Sequence, residues 1–375
     1  MTLALGLMSG TSCDGISAAL ADFRGRALRL LAHRTFPYPA PVSALLHRTD
    51  ELSTPGVAQL HALLGELLAL AALRLLRRAR VSPKTVAVIG SHGHTVYHGP
   101  SDPVPCTLQL GDPSIIAERT GCPVVADFRS RDVAGGGQGA PLVPFFDDYF
   151  FGGGPPRALQ NIGGIANVTV VGRGREPLAF DTGPGNGLID AVVRRASGGR
   201  RAFDAGGARA ARGRIDEAAV RRMWAHPYFR RRPPKSTGRE LFNDRFLTDA
   251  FGRRRARPQD VLATVTYFTA FSIAESYQRF VPVGIREAIV SGGGAKNRTL
   301  MTHLRALLRP APVRSIERYG VPAQAKEPVA FAFLALRALQ GRLNHVPSTT
   351  GASGPRILGV LTPPTPPAPR PLPRR

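Results

Sequence analysis

The sequence predicts an α/β protein of two domains, each of which contains a strand, a glycine-rich turn and a second strand. This unit occurs around the turn Ser9–Gly15 and again around Asn161–Asn167. Further glycine clusters follow apolar strands at 183–187 and 292–294, and strands alternate with helices along the chain. Alternation of this kind predicts sheets covered by helices, with ligands bound beyond the strand ends. The recurrence of the same unit in both halves indicates a weak internal repeat.

The length of 375 residues is sufficient for two domains, and the composition, 43% apolar and 20% charged, is typical of globular proteins. We expect an N-terminal domain over 1–128 and a C-terminal domain over 129–353, with the glycine-rich loop 134–139 as a hinge. A strand at about 354–362 is expected to return to the first domain. The proline-rich end, 363–375, is expected to be disordered.

The charge of the chain is strongly positive, with a formal net charge of +24 and a pI of 11.4. Such a balance raises the hypothesis of a nucleic-acid partner. However, nearly all of the charge is arginine spread along the chain, and aromatic residues are not interleaved with it as a stacking surface would require. A solvated basic surface is therefore favoured, and no nucleic-acid partner is expected.

The cysteines and the apolar segments indicate the compartment. Cys13, Cys106 and Cys122 have no paired spacing, so neither a disulfide framework nor a zinc ribbon is expected, and a reducing cytoplasm fits. No basic segment precedes the first apolar run, so no signal peptide is expected. The longest apolar helix, Leu60–Leu76, is shorter than the roughly 20 residues of a membrane span and contains charged residues. We expect a cytoplasmic protein without a membrane partner, either a monomer or a homodimer.

The glycine clusters fit a phosphate chain. Glycine allows the backbone to approach a ligand, and its N–H groups form an anion-binding nest to which serine and threonine add hydroxyl donors. The segment Gly10–Ser12 supplies both kinds of donor. The P-loop consensus is absent, as is a clear dinucleotide fingerprint after the first strand, which disfavours both classes. The first turn by itself is equally compatible with an ordinary tight turn; the recurrence favours a phosphate clamp.

Two groups of side chains are candidates for catalysis or metal binding. Asp181 follows a strand and precedes a glycine turn, where it could act as a general base, bind Mg²⁺ or cap a helix. His92, His94 and His98 are close in sequence, but no cysteine or carboxylate completes a ligand set at a recognisable spacing. No protein-held metal site is therefore expected.

The arrangement resembles the superfamily of sugar kinases, actin and heat-shock chaperones, in which ATP lies in the cleft between two domains of the actin-like ATPase, ribonuclease H-like fold. Within it, the chain resembles the 1,6-anhydro-N-acetylmuramic acid kinases. The motifs that carry the resemblance extend in order over nearly the whole chain: Gly6–Gly15, Gly90–Val96, Asp127–Arg129, Asn161–Asn167, Phe180–Asn186 and Ser291–Asn297.

The resemblance implies a peptidoglycan-recycling kinase that uses ATP and Mg²⁺. It implies that Asp181 takes a proton from the water that attacks the anomeric carbon, after which the freed oxygen on carbon 6 receives the γ-phosphoryl group. Glu327 would orient the sugar or assist the water, Arg129 would bind the lactyl carboxylate, and His92 would contact the sugar. The residues implied for the nucleotide are Ser9, Gly10, Thr11, Ser12, Cys13, Asp14, Gly15, Ile16, Ser17, Asn161, Gly163, Gly164, Gly183, Gly185, Asn186, Gly292, Gly293, Gly294 and Asn297.

Three positions depart from the family pattern. Gln324 stands where an acidic residue is common, Pro328 where alanine is usual and His94 where glutamine is usual. Proline is tolerated in a first helical turn, so the helix after Glu327 should persist. The alternatives are another carbohydrate or acid-sugar kinase of the superfamily, and a nucleotide-binding protein of the actin or chaperone type without a base at Asp181.

Overall fold

The structure is a computed structural model that describes residues 2–10, 13, 15–238, 240–252 and 256–365. Thr11, Ser12 and Asp14, which are predicted nucleotide contacts, lie outside the described residues. The same holds for 366–375 of the predicted tail.

The chain divides into two compact units. Unit 1 comprises Met1–Phe146 with Glu327–Arg375, and unit 2 comprises Asp147–Lys326. The sequence prediction placed the changes at other positions, after 128 and after 353. The helix that begins at Lys326 accounts for the second difference, because its backbone packs against strands of unit 1 at Gly6 and Gly90.

Twelve strands occur in the described part of the chain. They are β1 (Leu3–Ser9), β2 (Gly15–Arg24), β3 (Ala27–Pro37), β4 (Val86–Gly99), β5 (Cys106–Leu110), β6 (Val124–Ala126), β7 (Arg157–Ile162), β8 (Ile165–Val171), β9 (Leu178–Pro184), β10 (Glu287–Ser291), β11 (Val313–Ser315) and β12 (Val360–Thr362).

The α-helices of the same ranges follow. They are α1 (Ala40–Leu46), α2 (Thr54–Ala79), α3 (Pro113–Thr120), α4 (Ser130–Ala134), α5 (Pro144–Phe151), α6 (Asn186–Ala196), α7 (Glu217–Trp224), α8 (Asp244–Phe251), α9 (Pro258–Phe280), α10 (Arg298–Leu307), α11 (Lys326–Leu339) and α12 (Pro347–Thr350). The remaining helical segments are short 3₁₀ turns.

The sheets of the two units share an arrangement of five strands, to which unit 1 adds β5 and β12. In unit 1, β1, β2 and β3 are antiparallel neighbours, β4 runs parallel to β1, and β6 runs parallel to β4. In unit 2, β7, β8 and β9 are antiparallel neighbours, β10 runs parallel to β7, and β11 runs parallel to β10. The weak repeat seen in the sequence is thus a repeat of three antiparallel strands joined to two parallel ones, which confirms the α/β fold class.

Two strands of unit 1 differ from the sequence prediction. The half-exposed strand β3 was not predicted, because its apolar residues are interrupted by Arg29, His33 and Arg34. The sequence alone predicts a buried strand over 85–89 that ends at Gly90–Gly93. In the structure, β4 continues to Gly99, because its second half pairs with β5. The histidine-containing segment is therefore strand and not loop.

The core of unit 1 is formed by its sheet and helix α2. The helix buries Leu60, Leu64, Leu68 and Leu75 against β1, β2 and the neighbouring strands. By length and composition α2 is the one helix in the described residues that could cross a membrane. The helix is longer than the Leu60–Leu76 segment expected from the sequence, and its leucine face is buried in the core of unit 1.

In unit 2 the core lies on both sides of helix α9. Its small and aromatic residues pack against β7–β10 on one side and against α6–α8 on the other. Thirteen residues of α9 are buried, which explains why no single apolar stripe marks the helix in the sequence.

Candidate active site

The first glycine turn joins β1 to β2 in unit 1. A backbone hydrogen bond spans part of this turn: the Cys13 N–H donates to the Gly10 carbonyl at 3.1 Å. Cys13 has a φ of 53°. A Cβ on Gly15 would lie 2.4 Å from the carbonyl oxygen of Phe36 on β3. Gly15 is therefore required by the packing of the neighbouring strand.

The side chains that flank this turn bond within unit 1. The Ser9 hydroxyl lies 2.8 Å from His94 Nδ1 and accepts a hydrogen bond from Tyr38 at 2.8 Å. Ser17 bonds to Thr35 at 2.8 Å, and the side chain of Ile16 is in the core. These predicted nucleotide contacts thus also stabilise the hairpin.

His94 connects the two ends of the turn. Its Nδ1 contacts Ser9, and its Nε2 lies 4.0 Å from the sulfur of Cys13. Burial lowers the pKa of His94, so the imidazole is neutral at physiological pH. Glutamine, which the resemblance implies at this position, would offer the same combination of a hydrogen-bond donor and an acceptor.

His92 and Arg129 form a hydrogen-bonded pair in unit 1. Arg129 donates from Nε and Nη2 to His92 Nε2, at 3.1 and 2.8 Å, and from Nη1 to the Gly139 carbonyl at 2.7 Å. Burial and the charge of Arg129 lower the pKa of His92 to about 3. Burial lowers the pKa of Arg129 to about 10, although the charges of Glu327 and Asp132 raise it. The sequence-predicted sugar contacts His92 and Arg129 are thus brought together, within the electrostatic reach of Glu327.

The start of α11, which carries Glu327, is fixed by two glycines. A Cβ on Gly6 would lie 1.7 Å from the carbonyl oxygen of Pro328, and one on Gly90 would lie 2.2 Å from that of Phe331. The helix backbone can therefore rest directly on β1 and β4. The Phe331 ring packs on His92 at a centroid distance of 4.6 Å. Pro328 is accommodated here, in the first turn of the helix.

A buried polar cluster supports Arg129, and sequence reasoning missed it. Asp132 accepts hydrogen bonds from His345 at 2.7 Å, from Thr350 at 2.7 Å and from the Gly139 N–H at 2.6 Å. Burial raises the pKa of Asp132, but these three bonds outweigh it and the net shift is downward. Gly139 is thus held from one side by Asp132 and from the other by Arg129. The only sequence signal was the aspartate three positions after Arg129.

The three glycine clusters of unit 2 meet at one place. The N–H groups of Gly185, Asn186 and Gly187 donate to the carbonyls of Gly163 and Gly164 at 2.7–3.0 Å. The second hairpin turn and the turn before α6 therefore form a single unit.

The third cluster packs on the same hairpin. A Cβ on Gly292 would lie 2.6 Å from the Ile162 carbonyl oxygen, and one on Gly294 would lie 2.3 Å from the Ile162 side chain. Close packing of the turns on each other explains why Gly292 and Gly294 are glycines, as it explains Gly185, where a Cβ would lie 2.3 Å from the Gly163 carbonyl oxygen.

Gly163 has no such explanation. A Cβ at this position would lie no closer than 3.6 Å to its neighbours, and the backbone is not in the left-handed region. Neither packing nor conformation requires glycine here. A close ligand would require it, because glycine lets a phosphate approach the backbone N–H groups.

The asparagines around these turns have distinct contacts. Asn161 Oδ1 accepts a bond from Ser291 at 3.4 Å, and Asn186 Nδ2 donates to the Ile162 carbonyl at 3.2 Å. Asn297 accepts from the Leu300 N–H at 3.0 Å and so caps α10. Gly183, with a φ of 142°, brings β9 close to Phe229.

Asp181 lies in β9, opposite Asn167 of β8. Its carboxylate accepts the Thr237 N–H at 2.9 Å, its main-chain N–H donates to the Lys235 carbonyl at 3.0 Å, and Tyr228 donates to its carbonyl at 2.7 Å. Burial raises the pKa of Asp181 to about 7, against the lowering effects of the Thr237 N–H and the Lys235 charge. A carboxylate with a pKa near neutrality is suited to general-base catalysis.

The segment 233–238 that crosses Asp181 was not identified from the sequence. Residues 194–260 are rich in arginine and polar residues, and their sequence predicts only short helices. The available signal was Pro233 and Pro234 followed by small polar residues, a composition typical of a rigid turn.

Metal ligands are sparse in the described ranges, where no group of three or more His, Cys, Asp or Glu side chains is arranged to hold a metal ion. Mg²⁺ in phosphoryl-transfer sites commonly uses one or two carboxylates together with phosphate oxygens and water.

A profile of the anhydro-N-acetylmuramic acid kinase family matches residues 2–364. The kinase of this name from Caldanaerobacter subterraneus subsp. tengcongensis is 42% identical, over 96% of both chains. The one from Streptomyces coelicolor is 44% identical, over 96% of this chain and 93% of its own. Likeness to solved structures is weaker: xylulose kinase from Rhodospirillum rubrum aligns with 90% of this chain at 12% identity and a TM-score of 0.46. On the evidence of the sequence matches, the chain belongs to the anhydro-N-acetylmuramic acid kinase family.

Proposed function

We propose that the protein opens the anhydro ring of 1,6-anhydro-N-acetylmuramic acid with water and phosphorylates the sugar from ATP, giving N-acetylmuramic acid 6-phosphate and ADP. This reaction recycles cell-wall fragments. The observation that carries the proposal is the carboxylate of Asp181, held by the Thr237 N–H with a pKa of about 7 in a protein of this family. Such a group can accept a proton from water at neutral pH.

Asp181 is the general base in this proposal. It takes a proton from water as the water oxygen bonds to the anomeric carbon, and the bond from that carbon to the bridging oxygen breaks. The bridging oxygen remains on carbon 6 and attacks the γ-phosphorus, and ADP leaves. Asp181 then releases its proton to solvent, so the net reaction consumes one water and one ATP per sugar and produces one proton. The Thr237 N–H and the Tyr228 hydroxyl fix the position of the base.

The glycine turns of unit 2 are proposed to hold the phosphates, with Gly163 as the closest approach. The first hairpin turn, Gly10–Gly15, is proposed as a further phosphate-binding turn. Mg²⁺, when bound to the nucleotide, neutralises phosphate charge during transfer. Positioning by the backbone N–H groups and charge neutralisation account for most of the catalysis expected in such a site.

The sugar is proposed to be recognised by Arg129, His92 and Glu327. Three of the five N–H groups of Arg129 are used in the pair with His92 and the bond to Gly139, which leaves one donor on each terminal nitrogen. Two parallel donors suit a carboxylate, and the lactyl group of a muramic acid provides one. Glu327, close enough to influence the pKa of Arg129, would accept hydrogen bonds from sugar hydroxyls.

The reaction also bears on the location and the partners of the protein. We propose a cytoplasmic enzyme whose partners are small molecules, without nucleic acid or membrane, and the arginine-rich surface is proposed to be solvated. A homodimer is retained as the alternative to a monomer.

To test the proposal, the enzyme is incubated with Mg²⁺-ATP and the anhydro-sugar in ¹⁸O-enriched water. The products are then examined by phosphorus NMR and mass spectrometry. The proposal expects ADP and a sugar 6-phosphate that carries one ¹⁸O at the anomeric carbon and none in the phosphate. As a control, unlabelled product is incubated with the enzyme in the same ¹⁸O-enriched water, which measures the exchange of the oxygen at that carbon. Label in the phosphate, or preferential phosphorylation of glucose or acetate, would refute the proposal and favour a different kinase.

A further inference from the structure

Lys235 is a buried cation without a hydrogen bond. The residue is 5% exposed, and its Nζ has no hydrogen-bond partner among the residues that the structure describes. An ammonium group loses its hydration on burial, and a protein normally compensates with hydrogen bonds or a paired charge. Burying a lysine without such compensation costs stability, so its presence indicates a function for the charge.

The surroundings of Lys235 are aromatic. Its Nζ lies 4.5 Å from the ring centroid of Phe280, 4.8 Å from that of Tyr228 and 5.9 Å from that of Phe180. Ring faces attract a cation and partly replace its hydration. They supply no acceptor lone pair, so the charge remains available to act on a neighbouring group.

That neighbouring group is Asp181. The Lys235 carbonyl accepts the Asp181 N–H at 3.0 Å, and the segment that continues from Lys235 provides the Thr237 N–H to the carboxylate at 2.9 Å. Two of the three rings belong to the same assembly: Phe180 precedes Asp181 in β9, and Tyr228 donates to the Asp181 carbonyl at 2.7 Å. The cation is thus built into the structure that holds the carboxylate.

We propose that Lys235 is a positioning residue for the reaction: its main chain holds Asp181 in place, and its buried ammonium favours the ionised form of the Asp181 carboxyl. This inference rests on the proposed role of Asp181 as the general base. A base in an apolar surrounding would otherwise retain its proton and be unable to accept another.

Other ionisable groups also influence the pKa values of Lys235 and Asp181. Burial and the charges of Arg231 and Arg279 lower the pKa of Lys235 to about 8, while the charge of Asp181 raises it. Lys235 is therefore still largely protonated at pH 7. On the carboxylate side, Glu240 raises the pKa of Asp181 and Lys235 lowers it. Tyr228, whose pKa is raised by burial, stays neutral.

A purely structural role makes a different prediction. If the lysine stem served only to fill the aromatic box, methionine would replace it without consequence, because the two side chains are similar in length and an apolar group suits the box. Replacing a buried cation by an apolar side chain is often neutral or stabilising. Fold stability and Asp181 ionisation therefore respond differently to Lys235→Met.

The direct test is a carbon-13 NMR titration of the Asp181 carboxyl, assigned by the signal that Asp181→Asn removes. We expect Lys235→Met to raise the midpoint of this titration by about one pH unit, the lower end of the effect of a close charge on a carboxyl. Lys235→Arg should leave it close to that of the unmodified protein. Arg279→Met is the matched control: Arg279 is a half-exposed cation stacked on Trp224, and solvent should screen its effect.

A second measurement is the pH dependence of kcat with the anhydro-sugar. In Lys235→Met the midpoint on the acid side of this profile should move to higher pH by the same amount, while the melting temperature is unchanged. An unshifted NMR midpoint in Lys235→Met, with the fold intact, would overturn the proposal. Because the titration needs no substrate, it decides the role of Lys235 even if no variant turns over the sugar, an outcome that would refute the proposed function instead.

Discussion

Arg129 donates two hydrogen bonds to a single nitrogen of His92, from Nε at 3.1 Å and from Nη2 at 2.8 Å. A guanidinium group can only donate, so His92 Nε2 must be unprotonated. Its Nδ1 therefore carries the proton and donates to the Gly93 carbonyl at 3.1 Å. The pair fixes the tautomer of the histidine and the plane of the guanidinium together.

Arg129→Lys tests this relationship. A lysine ammonium cannot donate from two coplanar groups to His92 and also present two parallel donors to a carboxylate. We expect the KM for the anhydro-sugar to rise by about 10- to 100-fold, corresponding to a lost charge-assisted bond of about 1.5–3 kcal/mol, with the KM for ATP unchanged. Steady-state kinetics with each substrate varied in turn provides the measurement. An unchanged sugar KM would remove Arg129 from the sugar site.

Gly6→Ala tests the placement of Glu327. The new Cβ would overlap the Pro328 carbonyl oxygen, so either α11 or β1 must move, and we expect a loss of about 1–3 kcal/mol in the free energy of unfolding together with a fall in kcat. Gly56→Ala in α2 is the control: its Cβ would meet only ordinary contacts at 3.5 Å or more, and helix propensity predicts equal or greater stability. Denaturant unfolding of both variants measures the difference; equal stabilities would contradict the account of Gly6.

Gly163→Ala separates ligand approach from packing. The site has room for a Cβ, so the melting temperature should stay the same, whereas the KM for ATP should rise at least about tenfold if a phosphate lies against this turn. Gly284→Ala, another position with open space, should change neither quantity. Gly294→Ala should differ from Gly163→Ala in losing stability, because its Cβ would clash with Ile162. An unchanged ATP KM in Gly163→Ala would place the phosphates elsewhere.

The sequence was sufficient to predict the fold class because its strongest signals are local. Strand, glycine turn and strand recur, and each turn is marked by residues that the backbone requires. What the sequence could not show is which glycines serve packing. Gly185, Gly292 and Gly294 are adjacent to Gly163 in space and belong to the same motifs, but only the structure reveals that they are required by Ile162 and by the carbonyl oxygen of Gly163.

Long-range polar contacts were also beyond sequence reasoning. The bond between Asp132 and His345 joins residues more than two hundred positions apart, and Lys235 lies more than fifty positions from Asp181 in an arginine-rich region without clear periodicity. Nothing in the spacing of these residues indicates that they meet. Asp181 itself was predicted from its place near a strand end, but its raised pKa depends on burial that only the fold creates.

Asp181→Asn should change stability in a pH-dependent way. The pKa of Asp181 is about 7 in the folded protein and near 3.8 when unfolded. The protonated form is favoured by folding, so this group's stabilisation is complete below pH 3.8 and is lost as the pH rises through 7. Above pH 7 the ionised carboxylate therefore lowers stability by up to about 4 kcal/mol, a cost that asparagine avoids. Thermal melts at pH 5 and pH 8 should show the variant gaining clearly more stability, relative to the unmodified protein, at pH 8 than at pH 5; a variant destabilised at pH 8 would contradict the raised pKa.

The most direct test of the central claim is the kcat of Asp181→Asn with Mg²⁺-ATP and 1,6-anhydro-N-acetylmuramic acid, measured on folded protein that still binds ATP. Asparagine cannot accept the proton from water, and loss of a general base typically costs about 10²–10⁴ in rate. We predict a fall in kcat of at least about a hundredfold with the KM for ATP nearly unchanged. Turnover near the wild-type rate would show that Asp181 is not the base.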